Sequence, residues 1–101
     1  MKFTELDPKL VVHAPSASSA HLPLTLANAQ GVLFGCPACK GAASHSILCW
    51  FRGRGVPDSE TPGPGRWDVS GTGLDDITLS PSVNVNGCWH GFVRNGEIVT
   101  C

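Results

Sequence analysis

Cys36-Pro37-Ala38-Cys39 places two thiols two residues apart in a stretch that must turn sharply. Thiolates so spaced reach one ion together, and Zn²⁺ takes four sulfur or nitrogen donors tetrahedrally at about 2.0–2.3 Å. A second pair lies in Cys88-Trp89-His90. Residues two apart on a β-strand project from the same face, so Cys88 and His90 can converge on an ion held by a neighbouring turn. The spacing therefore points to Zn²⁺ bound by Cys36, Cys39, Cys88 and His90. Four filled positions leave no place for water, which makes such a site structural, and metal binding would add folding energy that a small core lacks. Other readings stay open. Cys36 and Cys39 could be loop thiols or a redox pair, although no βαβ pattern surrounds them. Cys88 and His90 could be a buried thiol beside a hydrogen-bonded core histidine, and His45 could replace a ligand.

The remaining reactive side chains have blander readings. Cys49 reads as a buried apolar thiol and Cys101 as a free one; His13 and His21 sit in weakly patterned sequence and are expected at the surface. Arg52, Arg54, Arg66 and Arg94 would make an anion-binding patch only if they clustered. Asp75-Asp76 reads as a solvated turn, or else as a general base. Ser80-Pro81-Ser82 lacks an adjoining histidine and a G-x-S-x-G context, which argues against a serine nucleophile. Trp50, Trp67 and Trp89 are read as core. An enzymatic alternative is a zinc hydrolase of peptidase type, in which three protein ligands leave a position for water and Asp75, Asp76 or Glu97 serves as base.

Positioning two remote ligand pairs requires a tertiary fold, and the elements that build it are strands. The segment Phe3–Val12 contributes one strand ending in Lys9-Leu10-Val11-Val12, with an unpatterned stretch from His13 to Ala20 behind it; Leu22–Leu26, broken by Pro23, is an edge strand or irregular. Val32-Leu33-Phe34 enters the Cys-Pro-Ala-Cys turn and Ser44–Phe51 leaves it, so these form a hairpin with His45, Ile47, Cys49 and Phe51 on one face. Gly53–Arg66 is too rich in Gly and Pro for regular structure and reads as a long mobile loop. Trp67–Ser70 and Ile77–Val83 resume strands. Cys88–Val93 and Ile98–Thr100 flank Asn95-Gly96, which suits a type I′ turn and marks a tight hairpin.

Twelve Gly, eight Pro, one Met and short Val, Ile, Leu and Trp runs in 101 residues fit the same picture. The expected fold is mainly β: a small zinc-stapled antiparallel sheet of hairpins with long Gly/Pro-rich loops. It forms one domain over 1–101, with a poorly patterned segment at 1–30 and the mobile loop at 53–66. Seven Lys plus Arg against eight Asp plus Glu give a net charge of −1, without the positive field that nonspecific nucleic-acid binding uses. No stretch approaches the roughly 20 apolar residues that cross a bilayer. The N-terminus lacks the features of a secretory signal, and five cysteines make an odd count, so a reducing, cytoplasmic setting is expected.

Taken together, Cys36-Pro37-Ala38-Cys39, Phe51-Arg52-Gly53-Arg54-Gly55-Val56-Pro57, Arg66-Trp67-Asp68-Val69-Ser70-Gly71-Thr72-Gly73, Leu79-Ser80-Pro81-Ser82 and Gly87-Cys88-Trp89-His90-Gly91-Phe92 resemble a family of small phage and prophage proteins with a CPxC…SPS…CWHGF pattern. Some of its members carry the label "ammonia monooxygenase", and relatives lie beside bacterial ubiquitin-like conjugation genes, where a metal-binding role has been suggested. The resemblance runs roughly from Gly31 to Val99. It implies a phage or prophage origin and a metal site at Cys36, Cys39, Cys88 and His90, and lends no support to oxygenase chemistry. The chain stops at Cys101, short of longer relatives, so functions housed in a C-terminal extension are not expected of it. The functional expectation is an accessory or protein-interaction module that binds a host or viral protein, with the zinc hydrolase as the alternative.

Overall fold

The computed structural model describes residues 1–13, 25–38, 46–57, 59–60, 65–85 and 89–100. Among these described residues seven strands fall into two antiparallel sheets, so the fold is mainly β as expected. β1 (Lys9–Val11), β2 (Gly31–Gly35) and β3 (Ser46–Trp50) form the first sheet in that order. β4 (Asp68–Ser70), β5 (Thr78–Val85), β6 (Trp89–Arg94) and β7 (Glu97–Thr100) form the second. Among the described residues no helix is long and apolar enough to cross a membrane.

Alternation sets the faces. In the first sheet Val32 pairs with Cys49 and Phe34 with Ile47, and all four side chains are buried on one side. In the second, Leu79 pairs with Val93, Val83 with Gly91 and Val85 with Trp89, which turns Leu79, Val83, Trp89 and Val93 inward. One continuous core joins the two inner faces and takes in Phe3, Leu6, Leu26, Ala29 and Phe51. Burying a side chain such as Phe3 or Phe34, whose rings meet edge to face at 4.9 Å, contributes roughly 1.5–3 kcal/mol.

Two seams join the sheets. Phe51 and Trp67 form a parallel bridge, in which Trp67 N–H donates to the Trp50 carbonyl at 3.0 Å and Arg52 N–H to the Trp67 carbonyl at 2.8 Å. At the other seam the N-terminus runs beside β7: Phe3 N–H donates to the Gly96 carbonyl at 2.8 Å and Ile98 N–H to the Met1 carbonyl at 2.9 Å. The strand expected early in the chain is confined to Lys9–Val11. Phe3–Leu6 is a 3-10 turn, because Phe3 and Leu6 are both buried and three residues apart, the spacing that such a turn aligns on one side.

The β6–β7 hairpin turns at Asn95-Gly96 with φ of 48° and 73°, as the type I′ reading requires. Gly96 is needed twice over, since a Cβ there would also run into the Asp75 carbonyl. After β3, the Arg54 guanidinium donates to the carbonyls of Leu26, Ala27 and Ala29, and Gln30 Nε2 donates to the Arg54 carbonyl at 2.8 Å. His13, expected at the surface, is half-buried instead: its Nε2 lies 2.6 Å from Glu60 Oε2 and its ring stands edge-on to Trp50. A partner remote in sequence covers it, which local pattern does not reveal. Residues 21–24, the broken apolar run before Thr25, lie outside the described residues.

Candidate active site

The second sheet has one wet face, and its side chains follow from the inward set by alternation. Between Leu79, paired with Val93, and Val83, paired with Gly91, the register shifts, so Ser80, Pro81 and Ser82 stand opposite the single residue Phe92. Proline, which has no N–H to give to the ladder, is at home in such a bulge; the Ser80–Pro81 peptide is cis. Beyond the bulge Asn84 faces His90 directly. Asn84 and His90 are exposed, Ser82 and Phe92 half-exposed, and the four share the outer face.

There Ser82 Oγ and His90 Nε2 share a hydrogen bond at 3.0 Å. A hydroxyl at this distance from an imidazole can pass its proton to the ring as it attacks a carbonyl, the arrangement required of an activated serine nucleophile. The ring is aimed from its buried neighbours. Trp89 and Gly91 flank His90 and point inward; the indole covers Gly91, where a Cβ would stand 2.5 Å from Trp89 Cζ2, and Trp89 Nε1 donates to Thr100 Oγ1 at 3.0 Å. The Ser82 side is anchored as well, for Trp67 Nε1 donates to the Ser82 carbonyl at 3.3 Å. Beside the pair, the Arg94 guanidinium lies over the Phe92 ring at 4.0 Å, and Val99, opposite Phe92 on β7, is 42% exposed.

Of the four expected zinc ligands, Cys36 is buried just past the end of β2, and His90 lies on the outer face with Nε2 against Ser82. Cys39 and Cys88 lie outside the described residues, as do His45, His21 and Cys101. Among the described residues no group of three or more His, Cys, Asp or Glu side chains is arranged to hold a metal. The carboxylates weighed as bases for metal-bound water sit elsewhere. Glu97 pairs with Arg94, four residues or roughly 13 Å along β6 from His90, and Asp75 and Asp76 lie beside the same turn. Asp76 is committed to its own turn: Oδ1 accepts from Gly73 N–H and Thr72 N–H, each at 2.9 Å, and these bonds hold the carboxyl below its ordinary range.

Among the described residues each arginine is engaged with the protein itself. Arg52 pairs with Asp68 at 3.0 Å, Arg54 caps three carbonyls, Arg66 donates to the carbonyls of Gly65 and Pro57, and Arg94 covers Phe92. Cys49 is a core thiol as read, and burial pushes its pKa up to about 12, so it remains neutral at physiological pH. Ser82 is the residue that sequence reasoning set aside. Its histidine is not a neighbour in the chain but belongs to the adjacent strand. The available signal was the alternation itself, which puts Ser82 and His90 on the polar faces of two consecutive strands.

Comparison with known proteins bears on this pair. The chain belongs to the family described as bacterial ubiquitination-like system serine protease (BubE), whose model matches residues 13–101. That match begins well before the Gly31–Val99 stretch that carries the sequence resemblance. No curated protein and no solved structure matches the chain.

Proposed function

We propose that this chain is a serine peptidase in which Ser82 is the nucleophile and His90 the general base. Its substrate is a peptide or isopeptide bond at the tail of a ubiquitin-like protein. The observation that carries the reading is the 3.0 Å approach of Ser82 Oγ to His90 Nε2 on an open sheet face. Membership of a family described as the serine protease of a bacterial ubiquitination-like system supports the choice of that substrate class.

Ser82 Oγ attacks the scissile carbonyl while its proton passes to His90 Nε2. The carbonyl oxygen takes up the negative charge. Asn84, directly opposite His90 and exposed on the same face, offers an amide N–H₂ to that oxygen. The imidazolium then returns the proton to the leaving amine as the C–N bond breaks and an acyl-Ser82 ester forms. Water, deprotonated by His90, attacks the ester, and Ser82 Oγ leaves with that proton. The exposed face leaves the dyad open to an extended chain such as a modifier tail.

A structural zinc held by Cys36, Cys39 and Cys88, with His45 in place of His90 as the fourth ligand, is compatible with this chemistry, because none of those side chains takes part in it. With Nε2 given to Ser82, His90 would have only Nδ1 to offer a metal.

The test is covalent labelling with a fluorophosphonate, followed by mass spectrometry and by cleavage of a fusion carrying a peptide after a ubiquitin-like tail. Wild-type protein is expected to carry the phosphonate on Ser82 and to cleave the fusion. Ser82→Ala should lose both properties, while Ser80→Ala keeps them. Undiminished cleavage by folded Ser82→Ala overturns the reading, as does a wild type that neither labels nor cleaves, the behaviour of a noncatalytic interaction module.

A further inference from the structure

We infer that Trp67 is a positioning residue for the nucleophile: its indole N–H holds the Ser82 carbonyl and so sets where Ser82 Oγ stands relative to His90. The inference rests on the peptidase reading above and adds to it a residue outside the strands that carry the dyad.

Three residues opposite one make the β5–β6 register irregular at Ser80, Pro81 and Ser82, so a side chain that reaches the Ser82 carbonyl adds a restraint where the pairing departs from the regular ladder. The structure supplies a side chain for this purpose, Trp67 Nε1 at 3.3 Å from the Ser82 carbonyl oxygen. A donor is useful only if it is fixed, and Trp67 is fixed at its backbone. Its N–H donates to the Trp50 carbonyl and its carbonyl accepts from Arg52 N–H, which binds it to the extension of β3 in the other sheet. Its ring packs partly buried against the common core. A continuous path therefore runs from β3 through the Trp67 indole to the Ser82 backbone and on to the hydroxyl beside His90. Trp67 touches neither the hydroxyl nor the imidazole through any of these bonds, so its effect acts through Ser82.

The geometry also separates this role from simple packing. A phenylalanine at 67 keeps an apolar ring in the core and removes the N–H. The benzothiophene analogue of tryptophan keeps the bicyclic shape and replaces only the N–H by sulfur. Ser82 would then keep its fold position and lose the restraint on its carbonyl.

The experiment compares wild type, Trp67→Phe and the benzothiophene-substituted full chain in three measurements: thermal unfolding, fluorophosphonate labelling rate at Ser82, and kcat and KM on the tail fusion. Expected are a fall of about tenfold in labelling rate and in kcat for both substitutions, with KM unchanged. The benzothiophene chain should also unfold within a few degrees of wild type. Wild-type labelling and kcat in the folded benzothiophene chain overturn the inference, and so does a loss confined to KM. Should Trp67→Phe fail to fold, the benzothiophene chain decides alone. Failure of the peptidase reading is visible separately, because wild type itself would then leave Ser82 unlabelled.

Discussion

Ser82 Oγ meets His90 Nε2 at 3.0 Å although the register sets His90 opposite Asn84 and not Ser82. The contact is diagonal, two residues back along β5, a separation within reach of a long planar side chain such as imidazole. It leaves Asn84 as the direct cross-strand neighbour of the base, on the same wet face.

Asn84 is accordingly expected to contribute to the transition state and little to the fold. Replacing it with Ala should lower kcat on a tail fusion by about 10²-fold with KM nearly unchanged, as removal of one oxyanion donor does elsewhere. Fluorophosphonate labelling and thermal unfolding measured on the same sample separate this from misfolding. Unchanged kcat would remove Asn84 from the site.

Gly91 tests the support beneath His90. A methyl group there would stand 2.5 Å from both Trp89 Cζ2 and the Val99 carbonyl, so the indole or β7 must shift. Gly91→Ala should cost about 1–3 kcal/mol in urea unfolding, the usual range for overpacking. Activity should fall further than the folded fraction does, because Trp89 and Gly91 are the buried neighbours between which His90 projects.

Cys49 makes an alkaline prediction. Its thiol is fully buried and its pKa rises from 9.0 to about 12, so the folded protein keeps a proton that the unfolded chain has lost anywhere between those values. The stability this represents is complete below pH 9 and declines from there to pH 12, by about 4 kcal/mol if nothing else changed. Cys49→Ala should flatten that part of the unfolding curve relative to wild type, while itself destabilising the core at neutral pH. In the native protein Cys49 should resist iodoacetamide at neutral pH, read by peptide mapping after quenching.

Zinc and the dyad make separable demands on His90. If Cys36, Cys39 and Cys88 carry the metal, natively purified protein should hold about one zinc per chain, and His90→Ala should keep the metal while losing cleavage. Loss of zinc and of folding together in His90→Ala would instead make His90 a ligand. Elemental analysis of the two proteins side by side decides between them.

Much of the architecture was legible because it rests on local rules. Period-two alternation placed Ile47, Cys49 and Phe51 on a buried face and turned Trp89 and Val93 away from His90. Asn95-Gly96 announced its turn by the one property that matters there, tolerance of positive φ. The hairpin flanking Cys36 followed from two apolar runs on either side of a turn. Which polar residues would meet across strands was another matter. Ser82 meets His90 on a diagonal, in a β5–β6 register that the bulge shifts by two residues so that Asn84 takes the directly opposite place, and His13 reaches Glu60 only because the chain after β3 folds back. Alternation assigns a side chain to a face with information from its own strand. Contact between strands depends on register and on which distant segments pack together, and these belong to the whole fold.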